Sequence, residues 1–189
     1  MPVSSITAGA LPEISAGKGS QGSPLEDEIV ALFDLFRSPL LRYLMSLGLT
    51  APDGEEIIQE VFLALLQHLK RGKSRENLRG WLFRVAHNLA LKRRDRMRKS
   101  MEFAREAGGT EAIAIDPAPG PEAATITNQT QQRLWAVLQA LPQQDRECLS
   151  LRAEGLRYRE IAMILDMSLG AVAMSLARSL DRMARVAER

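Results

Sequence analysis

The chain has 189 residues, 46% of them hydrophobic, which suits one ordinary domain or two small domains with packed cores. A single cysteine, Cys148, excludes a disulfide framework, and one cysteine with two histidines excludes the usual structural zinc sites. The net charge is only +2, yet residues 70–99 carry 12 Lys and Arg against two acids. Such concentrated positive charge is typical of a nucleic-acid-binding surface.

The N-terminal part of the chain predicts a tail followed by helix starts. Residues 1–22 are rich in Ser, Gly, Ala and Pro and predict a disordered tail without the pattern of a secretory signal. Ser23-Pro24-Leu25-Glu26 has the pattern of a capping box and predicts the first helix start. Ser38-Pro39 and Thr50-Ala51-Pro52-Asp53 predict two further starts.

A helix with two contrasting faces is predicted from Asp53 to Lys70. Apolar residues recur there at helical spacing and indicate a broad buried face. They are Ile57, Ile58, Val61, Phe62, Leu65, Leu66 and Leu69. The opposite side carries acids and amides around one apolar residue, namely Glu56, Gln59, Glu60, Leu63 and Gln67.

The basic segment follows a loop over residues 71–76 and predicts another helix. Its apolar stripe consists of Leu78, Trp81, Leu82, Val85, Ala86, Leu89 and Ala90. Arg84, Asn88 and Lys92 lie on a neighbouring row at four-residue spacing. Trp81 belongs to the stripe, so we expect it in the core, whereas Phe83 falls off the stripe and is the better candidate for stacking on a base.

Residues 101–125 contain Gly-Gly and several prolines, and they predict a linker between two domains. Four short helices are predicted after it, over residues 126–140, 142–153, 158–165 and 169–187, with Gly155 ending the second and Ser168 capping the fourth. The last two have helix-turn-helix spacing, in which the second helix enters the major groove by its N-terminal end. A helical hairpin without a DNA role is the alternative. No segment shows strand alternation.

Read in order, these segments resemble the small extracytoplasmic-function (ECF) group of the sigma-70 family of bacterial RNA polymerase sigma factors. Asp53-Gly-Glu-Glu-Ile-Ile-Gln-Glu-Val-Phe-Leu-Ala-Leu65 is similar to region 2.2, and Leu78-Arg-Gly-Trp-Leu-Phe-Arg-Val-Ala-His-Asn-Leu-Ala90 to regions 2.3 and 2.4. Leu141-Pro142, Glu154-Gly-Leu-Arg-Tyr-Arg-Glu-Ile-Ala162 and Ser168-Leu-Gly-Ala-Val172 are similar to region 4.

The resemblance implies an all-α fold of two small helical domains joined by a flexible linker. Region 2, a bundle of three or four helices, would occupy residues 23–100, the linker residues 101–125, and the region 4 helix-turn-helix residues 126–189. It also implies a protein that binds core RNA polymerase and promoter DNA, and members of this group are often held by an anti-sigma factor. The low cysteine content suits a reducing cytoplasm. We expect no catalysis, no cofactor, no metal and no membrane insertion.

The resemblance assigns residues to three surfaces. Those expected at the −10 element are Phe83, Arg84, Asn88, Lys92, Arg93 and Arg94, with the loop 71–77 contributing to a pocket for a flipped base. Those expected against core polymerase are Asp53, Glu56, Gln59, Glu60 and Leu63. Those expected at the −35 element are Ser168, Ala171, Ala173, Met174, Ser175 and Arg178.

The recognition helix departs from the family pattern. Relatives commonly have Ser-x-Gly-Thr-Val-Lys-Ser-Arg-Leu, whereas this chain has Ser168-Leu-Gly-Ala-Val-Ala-Met-Ser-Leu176 and so has fewer cations for phosphates. Asp166 replaces the usual turn glycine, which disfavours a left-handed backbone there. Three outcomes stay open for this helix: weak −35 recognition, apolar contacts such as Met174 with thymine methyls, or a protein contact.

Other functional classes also remain as interpretations. A sigma-like protein-interaction module would keep the fold but not read the −35 element, and a free-standing helix-turn-helix regulator would bind duplex DNA without polymerase. An enzyme is disfavoured, because the sequence has no Ser/His/Asp set, metal-ligand spacing or phosphate-binding glycine loop. His68 and His87 lack an obvious carboxylate partner and are interpreted as ordinary helix positions.

Overall fold

The computed structural model describes residues 23–106 and 129–187, and this part of the chain is built from helices without a strand. The helices are α1 (Pro24–Ser46), α2 (Ala51–Lys70), α3 (Leu78–Glu106), α4 (Gln129–Ala140), α5 (Gln143–Ala153), α6 (Tyr158–Leu165) and α7 (Leu169–Ala187). The all-α fold class is confirmed. The predicted tail, the linker from residue 107 onward and the predicted helix start at Ile126 lie outside the described residues.

Two of the predicted helix starts are confirmed by their caps. The Ser23 backbone N–H donates to the Glu26 carboxylate at 3.0 Å, and the Ser23 hydroxyl accepts from the Leu25 N–H at 3.3 Å. At α2, the Thr50 hydroxyl accepts from the Asp53 N–H at 3.3 Å. These side chains satisfy N–H groups that have no partner within their helices.

The start predicted at Ser38-Pro39 is wrong, because α1 runs through Pro39 to Ser46. A proline inside a helix removes one backbone hydrogen bond and costs about 3 kcal/mol. Leu40, the next residue, and Leu44, one turn further on, are both 0% exposed. Burying each leucine contributes about 1.5–3 kcal/mol, so tertiary packing offsets the cost and keeps α1 continuous.

Helices α1, α2 and α3 pack on one another as a first bundle. The predicted buried face of α2 is confirmed for six of its seven residues, and the seventh, Leu66, is half-buried. The rings of Phe33 and Phe62 meet edge to face, 5.1 Å apart, where α1 lies on α2. Helix α3 ends at Glu106, so the linker boundary expected after residue 100 falls inside a helix, because residues 81–107 contain no glycine or proline.

Helix α7 packs against α4, α5 and α6 to form a second bundle. Its core includes six side chains with at most 1% exposure: Cys148, Leu151, Leu156, Ile161, Val172 and Leu176. Gly155 has φ +80° just after α5, as the predicted helix end requires.

The turn between α6 and α7 corrects one expectation. Asp166 adopts the left-handed conformation, with φ 51° and ψ 49°, although it stands where relatives have glycine. Aspartate tolerates this region better than most side chains. The N–H groups of Asp166 and Met167 both donate to the Ala162 carbonyl, which ends α6.

The two bundles are also in contact, with α1 touching α5 and α3 touching α6. Between residues 23 and 106 and between 129 and 187, no single helix is long and apolar enough to cross a membrane. The pair α6 and α7 passes that test only when taken together, and it is bent by 105°.

Candidate functional site

The outer row of α3 is exposed. Arg84, Asn88 and Lys92 all lie on the surface, and their side chains have no hydrogen-bond or ion-pair partner among the described residues. The opposite side of α3 holds the row in place, since Leu82, Ala86 and Ala90 are 0% exposed. An amide between two cations can donate to and accept from a base edge while the cations hold phosphates.

Phe83 does not belong to this surface, and its prediction as a base-stacking residue is wrong. Its ring is 0% exposed and lies 5.6 Å from the ring of Tyr43. The physical reason is that α1 and α2 both pack on α3, so α3 buries two adjacent stripes. The second stripe runs Phe83, Ala86, His87 and Ala90 at helical spacing.

His87 is a buried polar residue that the sequence analysis placed only as an ordinary helix position. The Tyr43 hydroxyl and His87 Nδ1 share a hydrogen bond of 2.8 Å. Burial lowers the pKa of His87, partly opposed by the charge of Glu147, and burial raises the pKa of Tyr43. Burial therefore favours a neutral imidazole and a protonated phenol, and these two groups can share one proton in this hydrogen bond.

The loop before α3 is held at both ends. Trp81 is half-buried against the core, as predicted, and its ring lies 4.8 Å from that of His68, whose Nε2 donates to the Ser74 carbonyl at 2.9 Å. Asn77, with φ 52°, accepts the Gly80 N–H at 3.1 Å and so caps α3. This cap was not predicted from the sequence, although Asn before a periodic apolar run is its usual signal.

Arg93 connects the surface expected at the −10 element with the surface expected against core polymerase. Its guanidinium lies 2.5 Å from Asp53 and 2.7 Å from Glu56, so a cation expected at DNA is paired with two acids expected at polymerase. The pKa of Asp53 is lowered, first by the Thr50 hydroxyl and then by Arg93. The cluster ties the start of α2 to the middle of α3.

The exposed side of α2 forms a second surface, the α2 outer face, consisting of Glu56, Gln59, Glu60, Leu63 and Gln67. All five are exposed, and Leu63 keeps 60% of its surface in solvent. Solitary leucines at the surface are common, but this one is surrounded by acids and amides on a helix whose other side is buried. Such a face suits a basic partner that covers the leucine.

Helices α6 and α7 have helix-turn-helix geometry, and their bend of 105° lies in the range of that motif. The Ser168 hydroxyl accepts the Ala171 N–H at 3.1 Å and caps α7, as predicted. Ala171 is exposed, Ala173 is half-buried and Met174 is 60% exposed.

Ser175 is misassigned as a DNA contact. It is 1% exposed, and its hydroxyl donates to Asp145 of α5 at 2.6 Å. Arg178 binds the same carboxylate oxygen at 3.2 Å, although its side chain is 57% exposed. Ser175 lies one position after the exposed Met174 and faces the bundle interior, where it meets the buried Asp145, a partner that was not predicted from the sequence.

Three arginines of the first bundle reach the second. Glu154, just after α5, accepts two hydrogen bonds from Arg42 at 2.8 and 2.9 Å, and Arg79 donates to the Glu154 carbonyl. Arg94, expected at phosphates, lies 4.0 Å from Glu147 and 3.5 Å from Gln143. Sequence patterns carry no signal for these contacts, since the partners are 49 or more residues apart. No group of His, Cys, Asp and Glu in the described ranges could hold a metal ion.

Comparison with known proteins identifies both bundles. A sigma-70 region 2 family model matches residues 32–100, and a sigma-70 region 4 family model matches residues 131–183. The chain belongs to the sigma-70 family. It is an ECF sigma factor, with relatives of that group along most of its length.

Two relatives show the extent of the similarity. The chain is 28% identical over 160 residues to the ECF RNA polymerase sigma factor EcfG of Rhodopseudomonas palustris, covering 84% of this chain and 82% of that protein. It is 28% identical over 142 residues to the ECF RNA polymerase sigma-E factor of Escherichia coli, covering 72% and 74% respectively.

A solved structure supports the fold. The sigma factor RpoE of Bartonella quintana, crystallised with the anti-sigma factor NepR, matches with a TM-score of 0.60 at 21% identity. The match covers 86% of this chain and 98% of the RpoE chain, so it extends over both bundles.

Proposed function

We propose that this ECF sigma factor binds core RNA polymerase and directs promoter-specific transcription initiation, without itself catalysing a reaction. The observation that supports this proposal is that the first bundle presents two different exposed surfaces. The α2 outer face is acidic and amide-rich around an apolar residue, and the outer row of α3 is basic around an amide. A protein that bridges polymerase and DNA needs one surface of each kind.

The α2 outer face would contact polymerase. Glu56, Gln59 and Glu60 would steer a basic helix into place, and Leu63 would supply the apolar contact that closes the interface. Asp53 is hydrogen-bonded to Thr50 and ion-paired with Arg93, so its role would be to orient the α2 outer face rather than to contact polymerase directly.

The outer row of α3 would hold the non-template strand of the −10 element. Asn88 would pair with a base edge, and Arg84 and Lys92 would neutralise phosphates on either side. Arg93 and Arg94 would join them only after leaving their acidic partners on α2 and α5. The loop 71–77 would border the pocket for a flipped base.

Helix α7 would lie in the major groove at the −35 element. Two elements about 25 base pairs apart are separated by about 85 Å along B-DNA, at 3.4 Å per pair. The contacts of α1 and α3 with α5 and α6 would have to open before both elements are bound. An anti-sigma factor, such as the one bound to the Bartonella quintana relative, would be a partner in the cytoplasm.

Run-off transcription with purified core polymerase on genomic fragments tests the proposal. We expect initiation at a discrete set of promoters only when the chain is added, and a large loss with Asn88→Ala. Gln139→Ala on α4 removes an exposed amide away from both surfaces and should leave initiation unchanged. Core binding without initiation would instead support a sigma-like protein-interaction module.

A further inference from the structure

The N-terminal half of α7 presents an apolar surface to solvent. This α7 apolar face consists of Leu169, Gly170, Ala171, Ala173 and Met174. Leu169 is 47% exposed and Met174 is 60% exposed, and a side chain at Gly170 would meet only open space. The residues that follow on the same row are the exposed Ala177 and Arg178. Leu169 and Met174 are therefore the large side chains that project from the first two turns.

Three polar side chains at the edges of this face are already engaged. The Ser168 hydroxyl caps the helix, and the Ser175 hydroxyl is buried against Asp145. Arg178 is held at the flank by the same carboxylate. The exposed surface from residue 169 to residue 177 therefore offers no side-chain hydrogen bond to a base edge.

Exposed cations on both helices of the motif favour DNA as the occupant of this face. Arg157 and Arg159 at the start of α6 are exposed, as is Arg182 further along α7. The first helix of a helix-turn-helix crosses the sugar-phosphate backbone while the second helix enters the groove. Small residues on the entering helix allow its backbone to approach the bases closely.

We propose that α7 reads the −35 element through thymine methyl groups, with Met174 as the residue that selects them. This inference rests on the proposed function. In the major groove, thymine differs from the other bases by an apolar C5-methyl group, and apolar side chains recognise it by contact alone. Leu169, at the entry to the helix, would border a second methyl.

Replacing thymine by deoxyuridine tests this directly, because it removes the methyl and leaves every hydrogen-bonding group. The −35 sequence is first selected from a library randomised in that region, using core-dependent run-off transcription as the readout. We expect thymine to be enriched at one or two positions. Deoxyuridine at such a position should weaken promoter binding about fourfold for each methyl that loses its contact.

Combining the deoxyuridine substitution with a Met174 variant tests whether Met174 makes the methyl contact. In Met174→Ala, the same deoxyuridine substitution should have no further effect, because the contact is already lost. Leu180→Ala is the matched control, since Leu180 is 55% exposed on the same helix but lies well beyond the apolar face. The fourfold effect should persist in that variant, and circular dichroism should show both variants folded.

The outcomes distinguish a failure of this inference from a failure of the proposed sigma-factor function. Initiation that is indifferent to thymine and deoxyuridine overturns the inference and leaves the sigma activity standing. An undiminished deoxyuridine effect in Met174→Ala overturns the assignment to Met174. If region 4 gives no base preference and Met174→Ala instead abolishes binding of a protein partner, the face is a protein-docking surface. Absence of initiation from every template contradicts the proposed function itself.

Discussion

Leu63→Ala is the substitution that tests the α2 outer face most sharply. Fully burying a leucine side chain contributes about 1.5–3 kcal/mol. Leu63 keeps 60% of its surface exposed, so covering that exposed part at an interface would contribute about 1–2 kcal/mol. Alanine retains part of that contact, and we therefore expect a loss of about 1 kcal/mol, which is roughly a fivefold weaker affinity for core polymerase.

Fluorescence anisotropy of labelled protein titrated with core polymerase measures this change. Leu35→Ala is the matched control, because Leu35 is 63% exposed on α1 and lies outside the α2 outer face. Its affinity should equal that of the wild type. Equal affinities for Leu63→Ala and Leu35→Ala would refute the assignment of this face to polymerase.

Three further predictions follow from the packing. Ser175→Ala should lower the free energy of unfolding by about 1.5–3 kcal/mol, the usual contribution of a hydrogen bond to a charged group, while promoter selectivity stays unchanged. Urea unfolding measures the change in stability. Altered promoter selectivity at wild-type stability would contradict this structural role of Ser175. Burial lowers the pKa of His87 in the folded protein, so as the pH falls the imidazole is protonated in the unfolded chain before it is protonated in the folded one. The free energy of unfolding should therefore fall as the pH drops below about 6.5. His87→Met should reduce that slope in pH-dependent denaturation, and an unchanged slope would exclude His87 as its source. Glu154→Gln should weaken the contact between the bundles by about 0.2–1 kcal/mol, because Arg42 is 63% exposed, and should raise the radius of gyration in X-ray scattering. Glu28→Gln breaks a comparable pair with Arg75 inside the first bundle and should leave the radius unchanged.

Local signals explain what the sequence predicted well. Ser23, Thr50 and Ser168 cap helices through bonds to residues two or three positions away, so the pattern and its cause lie in one short segment. The buried face of α2 follows from helical spacing in the same way. Asp166 shows the limit of such signals, since its left-handed backbone forms despite the replacement of glycine.

The wrong predictions concern residues whose surroundings come from distant parts of the chain. Phe83 is buried because α1 covers a second side of α3, and a single-helix pattern does not show how many neighbours a helix has. Ser175 is turned inward by Asp145, which is 30 residues away. Pro39 stays inside α1 because of tertiary burial, which outweighs its local preference.

The central claim is that α3 holds melted promoter strand while α2 is bound to polymerase. A promoter carrying 2-aminopurine at the −10 base expected to flip measures this directly, since the probe brightens when it leaves the base stack. We predict that fluorescence rises only with the chain and core polymerase together, and that Asn88→Ala or Leu63→Asp reduces the rise. No change in fluorescence on any promoter that the complex binds would contradict the account.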